Sequence, residues 1–304
     1  MNHLQALIQT AKNDQKRTVV IANAADAEIL RTVKLGLDHK LCSFILLGNQ
    51  DDIKQIANSI QLDLKNRDIY LYHVKESAEE IAVEKIHNNE ASILMKGNIS
   101  TKKLLQAVLD REKGLRKEKL LSHVAMFDIP GRNKPILLTD AAINIAPNLD
   151  EKIQIINHAT TVSRAVGIQQ PKIAVIAPVD VMNEAIPSTI DAAKLTHMQQ
   201  QGIIQNCLID GPISFDNAIS PKSAQHKSIT SEVAGVADIL LVSSIEVGNA
   251  LYKSFVFFAY AKVAAVVCGA KIPIALSSRA DSHESKLYSL ALAITMDQEH
   301  ETFS

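Results

Sequence analysis

The stretch Ile274-Ala275-Leu276-Ser277-Ser278-Arg279-Ala280-Asp281-Ser282 runs from apolar residues straight into two hydroxyls, a guanidinium and an acid. Asp281-Ser282-His283-Glu284 fits a helix N-cap followed by an acid three residues later, so capping accounts for the acids. It does not account for Arg279. A cap needs no guanidinium, and a cation where a buried strand ends is costly unless an anion pairs with it.

Other strand ends carry polar residues of similar character. Lys96-Gly97-Asn98-Ile99-Ser100-Thr101 precedes the helical pattern KKLLQAVLD. Glycine admits close backbone approach and lysine supplies a point charge, which suits a phosphate; Ser100 or Thr101 reads equally well as a plain N-cap, with Lys96 a solvated end. Asp140 and Asn144 in TDAAINIAP, four apart, would share a helix face and could orient a ligand, and Asp140 could as well cap that helix. Asp210-Gly211-Pro212 has the chemistry of a turn. Glu246, Gly248, Asn249 and Lys253 open another helical segment with more polarity than packing requires, though helix punctuation explains much of it.

In open parallel α/β sheets ligands lie beyond the carboxyl ends of strands, which is why these places matter. The chain supplies many such ends. TVVIANA (18–24), CSFILLG (42–48), IYLYHV (69–74), SILMKG (92–97), PILLTDA (135–141), KIAVIAP (172–178), NCLIDGP (206–212), ADILLVS (237–243) and KIPIALS (271–277) alternate with helix-period segments. Continuous rather than alternating apolar runs mean burial on both faces, so the sequence predicts an α/β protein with mostly parallel sheet. Within LSHVAMFDIPGRNKPILL (121–138) two strand-like runs meet at Pro130-Gly131-Arg132-Asn133, which predicts an antiparallel hairpin. Pro147-Asn148-Leu149-Asp150 gives a breaker and a helix start, hence a boundary near 146.

A length of 304 residues favours two domains. Formal net charge is −1, with 21% charged and 47% apolar residues, so no global field exists to gather nucleic acid. No apolar run reaches about 18 residues and the N-terminus lacks a signal-peptide core, so a cytoplasmic protein with no membrane partner is expected. Cys42, Cys207 and Cys268 lack Cys-x-x-Cys spacing and the histidines form no His-Glu-x-x-His pattern, so the expectation is no metal and inert thiols. Dinucleotide-binding, Walker A and nucleophile-elbow patterns do not occur.

Several segments in order, among them LMKGN, KGLRKEKLLSHVAMFDIP, LLTDAAINIAPNLDEK, DGPISFDNAIS, EVAGVADILLVSSIEVGNALYKSF and IALSSRADSHESKL, resemble the phosphate acetyl- and butyryltransferases, most closely the butyryl-transferring members. The resemblance spans roughly residues 20 to 295. It implies two parallel-sheet α/β domains with a central cleft, of isocitrate and isopropylmalate dehydrogenase-like architecture, the C-terminal helix returning to the first domain. On this reading 1–146 with 280–304 form one domain and 147–279 the other. It implies acyl transfer between coenzyme A and inorganic phosphate, with acyl-CoA, phosphate and acyl phosphate as substrates, no tightly bound cofactor, and a homo-oligomer. The relatives' Ser-Arg pair, which contacts the reacting acyl and phosphoryl groups, falls on Ser278 and Arg279. Their catalytic aspartate, six residues after the arginine, falls on Ser285, which leaves Glu284 and Asp281 as candidate proton acceptors. Ser243-Ser244 stands where relatives carry Pro-Asp. Acetyl transfer and a non-catalytic acyl-CoA or acyl phosphate binder are the alternative readings.

Overall fold

The computed structural model describes residues 3–12, 17–278 and 281–302, and the side chains of these as far as 298. Arg279 lies outside the described residues. In chain order the elements are α1 (His3–Ala11), β1 (Arg17–Ala22), α2 (Ala27–Asp38), β2 (Cys42–Gly48), α3 (Gln50–Ser59), β3 (Ile69–His73), α4 (Ala78–His87), β4 (Ile93–Lys96) and α5 (Thr101–Leu109). Then come β5 (Ser122–Asp128), β6 (Ile136–Thr139), α6 (Leu149–Ala165), β7 (Lys172–Ile176), α7 (Pro187–Gln200), β8 (Leu208–Ile213), α8 (Phe215–Ile219) and α9 (Pro221–His226). Last are β9 (Ile239–Leu241), α10 (Ile245–Phe257), β10 (Lys262–Cys268), β11 (Ile274–Ala275) and α11 (His283–Thr302).

The chain divides into two compact units, Met1–Lys119 with Val263–Ser304, and Leu120–Lys262. The sequence expectation put the breaks near 146 and 279. They fall earlier because strand pairing, not the Pro147 breaker, decides membership. β6 pairs in parallel with β9 and takes its antiparallel partner β5 with it, while β11 joins β4 and β10. The β5–β6 pair is the antiparallel excursion that the Pro130–Asn133 turn predicts.

In the first unit the strand order is β3-β2-β1-β4-β11-β10, parallel except for β10 against β11. Chain direction across the sheet reverses between β1 and β4, since β2 and β3 lie to one side of β1 and β4 to the other. All seven residues of β2 are buried, which is why it reads as an unbroken apolar run. α11 packs on α1, α2 and β11. Its Ser289 hydroxyl accepts from the Ala265 amide of β10 at 2.9 Å, which fixes the helix to the sheet.

The second unit has the order β5-β6-β9-β7-β8, parallel apart from β5–β6. Asn148 caps α6, and Glu151 returns the favour to its backbone, a capping box at the helix start read from sequence. Asp210-Gly211-Pro212 is not a turn: it lies inside β8, the edge strand, with a register shift against β7. Proline costs no ladder bond on an edge, so the strand runs through it. Lys262–Cys268 is a strand that the apolar continuity of 250–267 hid in the preceding helix. The break falls at Tyr260, at φ 52, with neither glycine nor proline to announce it. Among the described residues no helix is long and apolar enough to cross a membrane.

Candidate active site

β11 is two residues long, and the chain leaves it through Leu276 and Ser277, both buried, to reach Ser278, which is half-buried. The Asp281 carboxylate accepts from the Ser278 amide at 2.7 Å, and the Asp281 amide donates back to the Ser278 carbonyl at 3.2 Å. Asp281 is buried, and it closes the turn on itself. The cap of α11 is Ser282, whose hydroxyl accepts from Ser285. From the first turn of α11 the buried Lys286 reaches back, its ammonium donating to the carbonyls of Ser278 at 3.1 Å and Asp281 at 2.5 Å.

The start of α11 is tied to α2. Glu28 accepts from the His283 amide at 2.9 Å and from its Nδ1 at 3.0 Å, and the Thr32 hydroxyl donates to the His283 carbonyl. Burial raises the Glu28 pKa, but the His283 ring, Arg31 and the His283 amide outweigh it and hold the carboxyl below its usual value. Glu284 follows in the first turn of α11. It lines a cavity of about 440 Å³ with Leu35, His39 and residues of α1. Ser285 is buried.

The carboxyl ends of β1 to β4 open on a cavity of about 1100 Å³. Its wall includes Asn23 after β1, Asn49 after β2, Lys75 and Glu76 after β3, and Asn98 and Ser100 after β4. It sits where the sheet order reverses, the usual crevice of a doubly wound sheet. Gly97 makes the geometry: a Cβ there would stand 2.1 Å from the Asn23 carbonyl oxygen, so only glycine lets the β1 and β4 loops close up. Asn23 and Asn98 stitch them, Asn23 Nδ2 donating to the Asn98 carbonyl and Asn98 Nδ2 to that of Ala25. Ser100 is the N-cap of α5, accepting from Lys103, and Lys96 is buried rather than a solvated end.

In the second unit Asp140 and Asn144 do come together, but on a loop rather than a helix face, because the chain stays irregular from 140 to 148. Asp140 takes the amides of Ala142 and Ile143 at 2.8 and 3.0 Å, those of His123 and Asn144 at longer range, and the Asn144 side-chain amide at 2.6 Å. An aspartate that gathers the amides after it offers the chain an alternative to the helix. Gly248 in α10 lies against this loop, where a Cβ would stand 2.5 Å from the Asp140 carbonyl oxygen, and Asn249 donates to Ala141. Glu246 is exposed; the Ser244 hydroxyl and its own amide hold its pKa down. Lys253 lies 5.4 Å over the Tyr252 ring, and Asp210 accepts from the Gly211 amide.

Lys286, Glu28 and Asp180 escaped the sequence reading. Asp180, after β7, accepts from the Ser214 amide and hydroxyl, from Asn217 and from Lys227. Burial raises its pKa, and these donors together bring it down to about 2. Lys286 had a signal in its setting: one lysine opening the otherwise apolar stretch LYSLALAI, in a helical first turn where a cation opposes the dipole. The thiols are buried, and burial pushes Cys207 up to about 11. No cluster of metal-ligating side chains exists among the described residues.

Two compact α/β units of mostly parallel sheet, with polar loops at the strand ends, are the frame of an enzyme that binds its ligands there, and comparison gives the class as phosphate acyltransferase. The family model described as phosphate acetyl/butaryl transferase matches residues 3–84 and 71–294, so the chain belongs to this family and is an acyltransferase. Over 98% of its length it is 45% identical to the probable phosphate butyryltransferase of Bacillus subtilis (strain 168), of which it covers 99%. It is 38% identical to the phosphate acetyltransferase of Thermotoga maritima, over 95% of this chain and 98% of that one. Among solved structures, a branched-chain phosphotransacylase from Enterococcus faecalis V583 matches with a TM-score of 0.81 and 36% identity, over 92% of this chain and 99% of that one.

Proposed function

We propose that the chain transfers a butyryl or similar short acyl group between coenzyme A and inorganic phosphate, by direct attack of one substrate on the other. The 45% identity to a probable phosphate butyryltransferase across nearly the whole chain carries this reading. In the direction of acyl-CoA synthesis the coenzyme A thiol gives up its proton and its sulfur attacks the acyl carbon. The carbon–sulfur bond forms, the bond from carbon to the phosphate oxygen breaks, and phosphate leaves with the electron pair. The thiol's ordinary pKa of about 8.5 makes a nearby acceptor or positive field useful at neutral pH.

In this reading Arg279 holds the phosphate through paired N–H donors and Ser278 donates a hydrogen bond to the acyl oxygen or the phosphate. Of the two acids proposed as proton acceptor, Asp281 is bonded to the Ser278 amide, while Glu284 lines the cavity of about 440 Å³. Lys96 and Gly97, together with Asp140, Asn144, Asp210, Glu246, Gly248, Asn249 and Lys253, are assigned to framing the substrates. Lys75 and Lys103 on the wall of the 1100 Å³ cavity suit the phosphates of coenzyme A, and Glu76 suits its ribose hydroxyl. No tightly bound cofactor enters the reaction, which we place in the cytoplasm. Assembly into a homo-oligomer is supported by the exposed Phe257, Phe258 and Tyr260 at the end of α10.

The test is thiol release from butyryl-, isobutyryl- and acetyl-CoA with and without phosphate. Phosphate-dependent release, fastest with the four-carbon thioesters, is expected; fastest release from acetyl-CoA would assign the acetyl reaction, and none from any thioester would overturn the reading. Arg279→Ala should lower the rate on the order of a hundredfold, and a wild-type rate would remove Arg279 from the mechanism.

A further inference from the structure

We propose that Lys286 is a positioning residue for acyl transfer, its ammonium holding the carbonyls of Ser278 and Asp281 so that Ser278 is presented in one fixed geometry. The proposal rests on the reading of Ser278 and Arg279 as the pair that meets the acyl and phosphoryl groups.

The observation is a placement that folding alone does not favour. Lys286 is 4% exposed, so its charge has been taken out of water. It also stands in the first turn of α11, where free amides and the helix dipole favour an anion rather than a cation. An apolar side chain of the same length would fill this site without either cost. The lysine's partners explain what the charge does there. Nζ donates to the carbonyls of Ser278 and Asp281, the two residues that bracket positions 279 and 280. Holding the Ser278 carbonyl fixes the backbone that carries the Ser278 hydroxyl. Asp281 closes the turn from the other side through the Ser278 amide.

The charged surroundings are arranged to keep the ammonium. Asp281 faces it from the turn, Asp26 from the cap of α2 and Glu28 from the first turn of α2, and all three favour the protonated form. Burial acts against them and leaves the lysine pKa below its ordinary value. Glu28 also holds the His283 amide and ring, so the helix that carries Lys286 cannot slide relative to α2 while the clamp is closed. No charged donor is needed to satisfy two carbonyls at a strand end, where an amide or water would serve. A buried ammonium adds stronger bonds and a fixed direction.

Lys286→Met, Lys286→Gln and Arg279→Ala, each in the full-length protein, separate this role from packing. Each is followed by phosphate-dependent thiol release from butyryl-CoA, with KM for both substrates, and by thermal melting. The Met variant should lose on the order of a hundredfold in kcat, as small misplacements of reacting groups do, with KM for butyryl-CoA within about threefold. Its melting temperature should be unchanged or higher, since a buried charge has been removed. The Gln variant, which keeps a donor without the charge, should recover about tenfold of that loss. A lysine that merely fills space would show the opposite pattern, with stability lost and kcat kept. A Met variant within threefold of the wild-type kcat, while Arg279→Ala is slow, overturns the clamp alone. Wild-type rates in both variants overturn the assignment of Ser278 and Arg279, and the clamp with it. Loss of folding in both Lys286 variants also overturns the proposal, because the lysine would then serve the fold.

Discussion

The loop after β6 and the loop after β11 each hold a buried aspartate that bonds to backbone amides, yet they are stabilised from different directions. Asp140 gathers the amides of residues 142 to 144, the Asn144 side chain and the His123 amide of β5, so its loop is held largely through one carboxylate. Asp281 takes the Ser278 amide, and the carbonyls of that turn are held by Lys286 from the helix that follows. A loop bound through many bonds to one carboxylate is part of the fold, and disturbing it should cost stability. A turn whose carbonyls are bonded by a cation from the next helix can be loosened by one substitution while the surrounding fold stands, and that disturbance should cost rate.

The sharpest way to break this contrast is Asp140→Ala. It would strand several buried donors, each worth about 1–3 kcal/mol when left unsatisfied, so a loss above about 3 kcal/mol is expected in denaturant unfolding. A loss under 1 kcal/mol would mean that the β6 loop does not depend on its aspartate.

Asp180 tests an intermediate case, an acid held by side chains as well as an amide, with its side chain 19% exposed. Its folded pKa is about 2, against an ordinary 3.8. A depressed carboxylate stabilises fully above the unfolded value, and the contribution is lost as pH falls through the folded one. Asp180→Asn should therefore be less stable than wild type by about 2 kcal/mol at pH 7. The gap should narrow between pH 4 and pH 2, and a gap that stays constant over that range would refute the assignment.

Glu28→Gln should have the smallest effect. Glu28 is about one third exposed, and glutamine still offers an oxygen to the His283 amide, so the loss should stay below about 1 kcal/mol. Because the Glu28 pKa is held below its ordinary 4.5, whatever it contributes is present above that value and fades as pH falls below it. Thermal melts at pH 7 and pH 4 check this. A large loss would make the α2 contact, rather than Lys286, the main support of the turn.

Much of the fold was legible because strands buried on both faces announce themselves as unbroken apolar runs, and β2 coincides with the stretch CSFILLG. The same property hid β10: an apolar strand directly after an apolar helix leaves no change of period to detect, and Tyr260 turns the chain without glycine or proline. At the site, the position of Ser278 after a strand could be read from sequence, and so could the cap at Ser100. The loop at Asp140 could not, because spacing of four looks the same on a helix as on a turn that an aspartate has folded over itself. Nor could the link from Lys286 to Ser278 and Asp281. It depends on a lysine's reach back along its own helix start, and only coordinates reveal that.

The interleaving of the two units also sets an order of events during synthesis. Leu120–Lys262 is a single contiguous segment and can fold once it has emerged, whereas the first unit lacks β10, β11 and α11 until the chain beyond residue 263 appears. At about 5–20 residues per second, β4 must wait on the order of ten seconds or more for β11, its neighbour in the sheet. Through that interval one edge of β4 stands unpaired on the nascent chain. The unit made first is thus the last to be finished, and the turn bearing Ser278 is among its final pieces.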